Sequence, residues 1–158
     1  MIGQYAGYHN DVSHFVVEHD EEWINFFQRD FTLSEHSKII KLNYTMKAYK
    51  EASAVRVYEG FLEQFKNQKF DFISIDAPFG GDMKEYARID VLELLPNCLS
   101  EDFVIMIDDT ERVGETNTIK ELMEILNKNA IEFNIGRYSG KKDCSIITSA
   151  KLKWLCSM

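Results

Sequence analysis

The chain lacks the features that mark membrane-spanning, secreted and metal-caged proteins. No apolar run approaches the ~18 residues of a membrane helix, and the N-terminal segment has neither a basic start nor an apolar signal stretch. Cysteine is scarce, and Cys98, Cys144 and Cys156 form no CxxC pair, which argues against a disulfide framework or a zinc cage. These absences predict a cytoplasmic protein without membrane contact.

Positive charge is also in deficit. The sequence has 18 Lys+Arg against 26 Asp+Glu, and a net charge of -8 would repel a phosphate backbone. We therefore expect no nucleic-acid partner. Neither a P-loop nor a GxGxxG motif occurs, so a nucleotide-binding α/β protein of another kind is only a third hypothesis.

What the sequence does contain is a regular alternation of strand and helix patterns. Hydrophobic residues make up 45%, enough for the core of a single domain over residues 1–158. Continuous apolar runs predict parallel strands covered on both faces, hence an α/β, doubly wound, mostly parallel sheet with a C-terminal antiparallel hairpin. The predicted strands lie near residues 14–18, 38–42, 70–76 and 102–108, and the predicted hairpin lies near residues 131–149. Helices are predicted to begin at residue 21 and to cover residues 55–65, 85–95 and 118–126.

Three of these strands end in acidic residues. The carboxyl ends of parallel strands meet at one edge of a sheet, where ligands of open α/β folds bind, so we expect the acids to converge there. The alternative is structural, because Asp is a good helix N-cap and paired acids occur in capped turns. The residues are Glu18, His19 and Asp20 after the first strand, Asp76 after the third, and Asp108 and Asp109 after the fourth.

These segments resemble a known family. Three stretches and the terminal hairpin carry the resemblance: His14-Phe-Val-Val-Glu-His-Asp-Glu-Glu-Trp23, Phe70-Asp-Phe-Ile-Ser-Ile-Asp76 and Phe103-Val-Ile-Met-Ile-Asp-Asp109. In this order, the stretches resemble strands two, four and five of class I S-adenosylmethionine-dependent methyltransferases, which have a Rossmann-like fold. The hairpin resembles the ending of that fold. The resemblance spans most of residues 14–149. It implies S-adenosylmethionine as cofactor, with Glu18 and its neighbours His19 and Asp20 at the ribose and Asp76 at the methionine part and reaction centre.

The sequence is also similar to the metal-dependent catechol O-methyltransferase-like branch of that family. In that branch, acids in the positions of Asp76, Asp108 and Asp109 bind a divalent cation, and oxygen ligands suit Mg²⁺ or Ca²⁺. Such a cation lowers the pKa of a substrate hydroxyl and orients it for attack on the methyl group. The resemblance therefore implies methyl transfer to a small-molecule hydroxyl, with Asp76 and Asp108 as catalytic residues.

The sequence departs from the family at its beginning. Family members open with a central strand and a glycine-rich loop, whereas only Gly3 and Gly7 precede Glu18, without an apolar strand. This predicts an N-terminally truncated version of the fold, in which cofactor binding is weak or lost. The alternative function is a catalytically inactive methyltransferase-like module that dimerises or binds a partner. An unpaired strand edge needs hydrogen-bond partners, so we expect a homo-oligomer.

The basic residues divide into two arginines with two possible roles and a group of C-terminal lysines with one. Arg88 and Arg112 each follow an acidic strand end, where arginines hold loops together or clamp an anionic substrate through two parallel hydrogen bonds. The C-terminal lysines are interpreted as a solvated basic face: Lys141, Lys142, Lys151 and Lys153.

Overall fold

The structure is a computed structural model that describes Tyr8, residues 11–30 and residues 33–157. The chain divides into two compact units, Met1–Tyr44 and Thr45–Met158, and each is described by itself. The assignment of residues 1–158 to one domain stays a prediction. Gly3 and Gly7 lie outside the described residues. No helix in the described part of the chain is long and apolar enough to cross a membrane.

The first unit contains a parallel strand pair and a helix. Strand β1 (His14–Glu18) pairs in parallel with β2 (Ser37–Lys41), and helix α1 (Glu21–Asp30) connects them. Asp20 Oδ1 accepts a hydrogen bond from the backbone N–H of Glu22 at 2.8 Å, so Asp20 caps the first turn of the helix. The predicted parallel strands and the helix start are confirmed here.

The second unit is built on a four-stranded sheet. Its strands are β5 (Phe70–Ile75), β6 (Leu99–Ile107), β7 (Phe133–Tyr138) and β8 (Cys144–Ser149), in the order β5-β6-β8-β7. Strands β5 and β6 are parallel, whereas β8 is antiparallel to both β6 and β7. The predicted parallel pair and the C-terminal hairpin are therefore both present.

Helix α3 (Val113–Lys128) follows β6 and supplies part of the core of this unit. Its buried side chains recur every three to four residues, which places them on one face of the helix. The core of this unit includes Ile119, Leu122 and Leu126 of the helix, Phe103, Ile105 and Ile107 of β6, and Ile147 of β8.

The predicted helix over residues 55–65 is wrong for its first half. Residues Ala52–Tyr58 form strand β4, which pairs with β3 (Tyr44–Tyr49) in a separate two-stranded sheet, and only Phe61–Phe65 form a short helix, α2. Val55, Val57 and Tyr58 are buried. Their β-branched and aromatic side chains favour a strand, and this preference outweighs the helical spacing of the more distant apolar residues.

The predicted helix over residues 85–95 is also wrong. Only Asp90–Glu93 are helical, as a single 3₁₀ turn. The backbone of Arg88 has φ of 58°, the left-handed region that an α-helix cannot contain. This conformation belongs to the buried cluster described below, in which Arg88 is the central residue.

Candidate active site

Three carboxylates meet at the carboxyl edge of the β5–β6 pair. Asp76 directly follows β5, and Asp108 and Asp109 directly follow β6. The N–H of Asp108 donates to the carbonyl of Ile75 at 3.1 Å, which extends the pairing of the two strands to this edge. One carboxylate oxygen from each of the three aspartates lies within 4.8 Å of the others. The structure thus brings these three residues together, and their roles stay predictions.

Asp109 is the buried member of the group. Its side chain is 3% exposed, and its Oδ2 lies 2.7 Å from Arg88 Nη2 and 2.9 Å from Arg112 Nη1. Burial alone would raise the pKa of this carboxyl, but the contacts with Lys142, Arg88 and Arg112 outweigh burial and lower the pKa below its usual value. Asp109 is therefore held as an anion among cationic side chains.

Arg88 connects the loops that surround the carboxylates. Its guanidinium is 3% exposed and donates to the carbonyl oxygens of Asp108 at 2.9 Å and Pro78 at 3.4 Å, as well as to Asp109. It also lies 3.4 Å from Asp76 Oδ1. Of the two interpretations of Arg88, the structure supports the one in which it holds loops, because a buried guanidinium with these partners cannot also clamp a substrate.

Glu115, in the first turn of α3, is the second buried acid of this cluster. The sequence pattern predicts no functional role for it. It is 0% exposed, and its Oε1 lies 3.7 Å from Arg88 Nε and 3.6 Å from Arg112 Nη1. Neither of its carboxylate oxygens accepts a hydrogen bond from the described residues. Burial raises the pKa of its carboxyl. A Cβ at Gly80 would lie only 2.5 Å from Glu115 Oε1, so the glycine permits this close packing.

Asp76 is the exposed member, with 66% of its side chain accessible. Its pKa is raised, first by partial desolvation against the protein surface and then by the charges of Asp108 and Asp109, while Arg88 and Lys142 act to lower it. An exposed carboxyl with a raised pKa at a strand edge can accept a proton from a bound hydroxyl.

Lys142 also belongs to this site, although its side chain is exposed, as its interpretation as part of a solvated face predicts. Its ammonium lies 2.8 Å from Asp109 Oδ1 and 3.7 Å from Asp108 Oδ2. The signal was present in the topology: because β8 runs antiparallel beside β6, the turn before β8 must lie beside the residues after β6. Lys151 likewise pairs with Asp102, at 2.5 Å.

The residues predicted to bind cofactor in the first unit form a compact turn after β1. Glu18 Oε1 accepts hydrogen bonds from the N–H groups of His19 at 2.7 Å and Asp20 at 2.9 Å. His19 Nδ1 lies 2.9 Å from the same oxygen, and its ring stacks edge-on against Tyr44. The capping role of Asp20 is observed, and cofactor binding by Glu18, His19 and Asp20 stays a prediction.

Comparison with known proteins identifies the fold. No family model matches the sequence, and no curated protein matches it significantly. A solved structure from Staphylococcus aureus, provisionally assigned as a caffeoyl-CoA O-methyltransferase, is 12% identical with a TM-score of 0.55, and the match covers 93% of this chain and 69% of that one. A methyltransferase from Pyrococcus furiosus is 14% identical with a TM-score of 0.52, covering 94% and 68%. The chain therefore has the class I S-adenosylmethionine-dependent methyltransferase fold, as the sequence resemblance predicts.

The three aspartates offer oxygen ligands for a divalent cation, but cationic side chains already lie beside one of them. The carboxylates of Asp76, Asp108 and Asp109 are the hard oxygen ligands that Mg²⁺ and Ca²⁺ prefer. However, Oδ2 of Asp109 already faces Arg88 and Arg112, and Oδ1 faces Lys142. These cations compete with a divalent ion for the oxygens of Asp109, and metal binding by the three aspartates stays a prediction.

Proposed function

We propose that this chain transfers a methyl group from S-adenosylmethionine to a hydroxyl of a small molecule, at the edge formed by Asp76 and Asp108. The observation that carries the proposal is the convergence of these carboxylates at the carboxyl ends of β5 and β6 in a methyltransferase fold. The names of the two structural neighbours support methyl transfer as the reaction class, and the first supports an oxygen acceptor.

In each unit, taken by itself, one carboxylate has chemistry that suits a part of the cofactor. S-adenosylmethionine supplies an electrophilic methyl group when bound. Glu18 offers a carboxylate that is fixed by two backbone N–H groups, an ordered acceptor of the kind that ribose hydroxyls require. In the second unit, the exposed Asp76 lies at the edge where the methyl group of the cofactor would meet the acceptor.

The aspartates deprotonate the acceptor hydroxyl and orient the acceptor molecule. Asp76 takes the hydroxyl proton on its carboxylate, and its raised pKa makes it a better base than an ordinary aspartate. Asp108, half-buried beside it, accepts a hydrogen bond from another donor group of the substrate and so orients the acceptor molecule. Arg88 is a positioning residue, because it holds the backbone of Asp108 and lies beside Asp76.

Methyl transfer is tested with radiolabelled cofactor. The full chain is incubated with S-adenosyl[methyl-³H]methionine and a panel of phenols, catechols and aliphatic alcohols, and labelled product is counted. Asp76→Asn and Asp108→Asn should each abolish the transfer that the wild type shows. Asp71→Asn, an exposed aspartate on β5 away from the edge, is the matched control and should retain it. Transfer that survives both site variants would refute the assignment.

Cofactor binding is tested separately by calorimetry. We expect any binding of S-adenosylmethionine to weaken in Glu18→Ala and in Asp76→Ala. Micromolar or tighter binding that is unchanged in Glu18→Ala and Asp76→Ala would remove both residues from the site.

The alternative function is a catalytically inactive module that dimerises or binds a partner through the same fold. One observation favours it: among the described residues β5 is an edge strand of its sheet, and its Phe72 is 41% exposed. Absence of cofactor binding together with a stable oligomer would support this alternative over the enzyme.

A further inference from the structure

The Lys142 ammonium faces a buried carboxylate oxygen. Asp109 Oδ1 accepts no hydrogen bond of good geometry from the described residues, and Lys142 Nζ lies 2.8 Å from it. The same ammonium is 3.7 Å from Asp108 Oδ2. A buried anionic oxygen without a hydrogen-bond donor requires a cation beside it, and Lys142 provides one.

The position of Lys142 is set by the backbone. The β6–β8 pairing brings Ser145 opposite Ile107, so the preceding turn lies beside the acidic end of β6. The N–H of Thr110 donates to the carbonyl of Asp143 at 2.9 Å, and the N–H of Asp143 donates to Glu111 Oε2 at 3.2 Å. These bonds tie the turn to the loop after Asp109 and hold the lysine over the carboxylates.

The ammonium and a divalent ion compete for the same place. Mg²⁺ binds carboxylate oxygens at about 2.1 Å and needs them free of other close cations. The three carboxylates of the edge, together with Glu115, already share three cations, Arg88, Arg112 and Lys142. Of these, Arg88 is buried and held by backbone carbonyls, so Lys142, which is 55% exposed, is the cation whose removal would open Asp109 Oδ1.

We propose that Lys142 serves as the built-in cation of this edge, in the place that a divalent metal would take between Asp108 and Asp109. In methyl transfer, a role that rests on the proposed function, the ammonium would stabilise the acceptor oxygen as its proton passes to Asp76. The site would then work without added metal.

The proposal is tested by measuring ion binding, which needs neither cofactor nor acceptor. Mg²⁺ is titrated calorimetrically into the wild type, Lys142→Met and Lys142→Arg, with Lys141→Met as the matched control from the same turn. We expect no saturable binding at millimolar Mg²⁺ in the wild type, Lys142→Arg and Lys141→Met. Lys142→Met should gain saturable binding, and adding Asp108→Asn to it should remove that gain.

Two results would overturn the proposal: wild type that binds Mg²⁺ as tightly as Lys142→Met, or a folded Lys142→Met that gains no binding. Lys142→Gln, which keeps a polar side chain, replaces Lys142→Met if that variant fails to fold. Methyl transfer by the wild type that disappears in EDTA and returns with Mg²⁺ would overturn the proposal while leaving the proposed function intact. Mg²⁺ binding gained in Lys142→Met, together with no methyl transfer by the wild type in the labelled-cofactor assay, would refute the proposed function alone.

Discussion

Arg88 and Asp109 form a buried ion pair, with Arg88 Nη2 2.7 Å from Asp109 Oδ2 and only 3% of either side chain exposed. Both residues have a backbone φ of 58°, so two left-handed residues from different loops are held together by one contact. The pair joins the loop after β5 to the loop after β6, because Arg88 also donates to the carbonyls of Pro78 and Asp108. The geometry of the acidic edge therefore depends on it.

Replacing Arg88 by Met should destabilise the fold strongly. The substitution removes the more deeply buried of the two cations, Arg88 and Arg112, that contact both Asp109 and Glu115, and breaking a buried pair from one side costs about 3–5 kcal/mol. The free energy of unfolding is measured by urea denaturation. Adding Asp109→Asn should recover part of the loss, because it removes the uncompensated charge. A loss below about 1 kcal/mol, typical of a surface pair, would contradict this account.

Gly80 is a second position on which the cluster depends. A Cβ there would lie 2.5 Å from Glu115 Oε1 and 2.8 Å from Ala87 Cβ, closer than real contacts allow. Gly80→Ala should therefore lower the free energy of unfolding by about 1–3 kcal/mol, as overpacking does in other cores. Gly140→Ala is the control, because its Cβ would meet nothing nearer than 3.6 Å. Equal melting temperatures for the two variants would show that the loop relaxes freely.

The sheet and its acidic edge were predictable because their signals are local. Apolar runs ending in acids mark β1, β5 and β6, and parallel pairing then brings Asp76 and Asp108 together without further information. Helix α3 was predictable for the same reason, since Ile119 and Leu122 show its buried face directly.

The remaining features depend on contacts between distant segments. Arg88 interrupts a helical pattern because its side chain is taken up by Asp109, twenty-one residues away in sequence. Lys142 meets Asp109 only because β8 inserts beside β6. Tertiary contacts therefore determine the backbone conformation at Arg88 and the position of Lys142. These contacts outweigh local propensity and leave no periodic signal in the sequence.

The edge strand β5 gives a prediction about assembly. Among the described residues β5 pairs only with β6, and Phe72 on it is 41% exposed. Exposed edges with apolar side chains favour pairing with a further strand, so we expect light scattering to give more than one chain mass. Phe72→Glu should shift the protein toward one chain mass, whereas Val113→Glu, at a more exposed apolar site on α3, should not. Wild type at one chain mass at micromolar concentration would count against assembly.

Asp90 gives the protein a pH dependence of known sign. Its Oδ1 accepts a hydrogen bond from the N–H of Tyr58 at 2.6 Å, and its Oδ2 is buried without a hydrogen-bond partner among the described residues. Burial is the main cause that raises the pKa of this carboxyl to about 6 in the folded chain. An unfolded aspartate titrates near about 3.9, so between these values the folded chain binds more protons than the unfolded chain. The free energy of unfolding must therefore fall as pH rises through this window.

Asp90→Asn removes this dependence, because the amide keeps the acceptor for Tyr58 but has no proton to lose. Urea denaturation is measured for both proteins at several values from about pH 4 to about pH 7, and the stability of the wild type relative to Asp90→Asn should fall by about 2–3 kcal/mol across the range. Asp71→Asn, on the exposed side of β5, controls for the general loss of one negative charge. If the wild type and Asp90→Asn give parallel profiles, the Asp90 carboxyl is ionised in the fold throughout this range, and burial at the 3₁₀ turn does not govern its protonation.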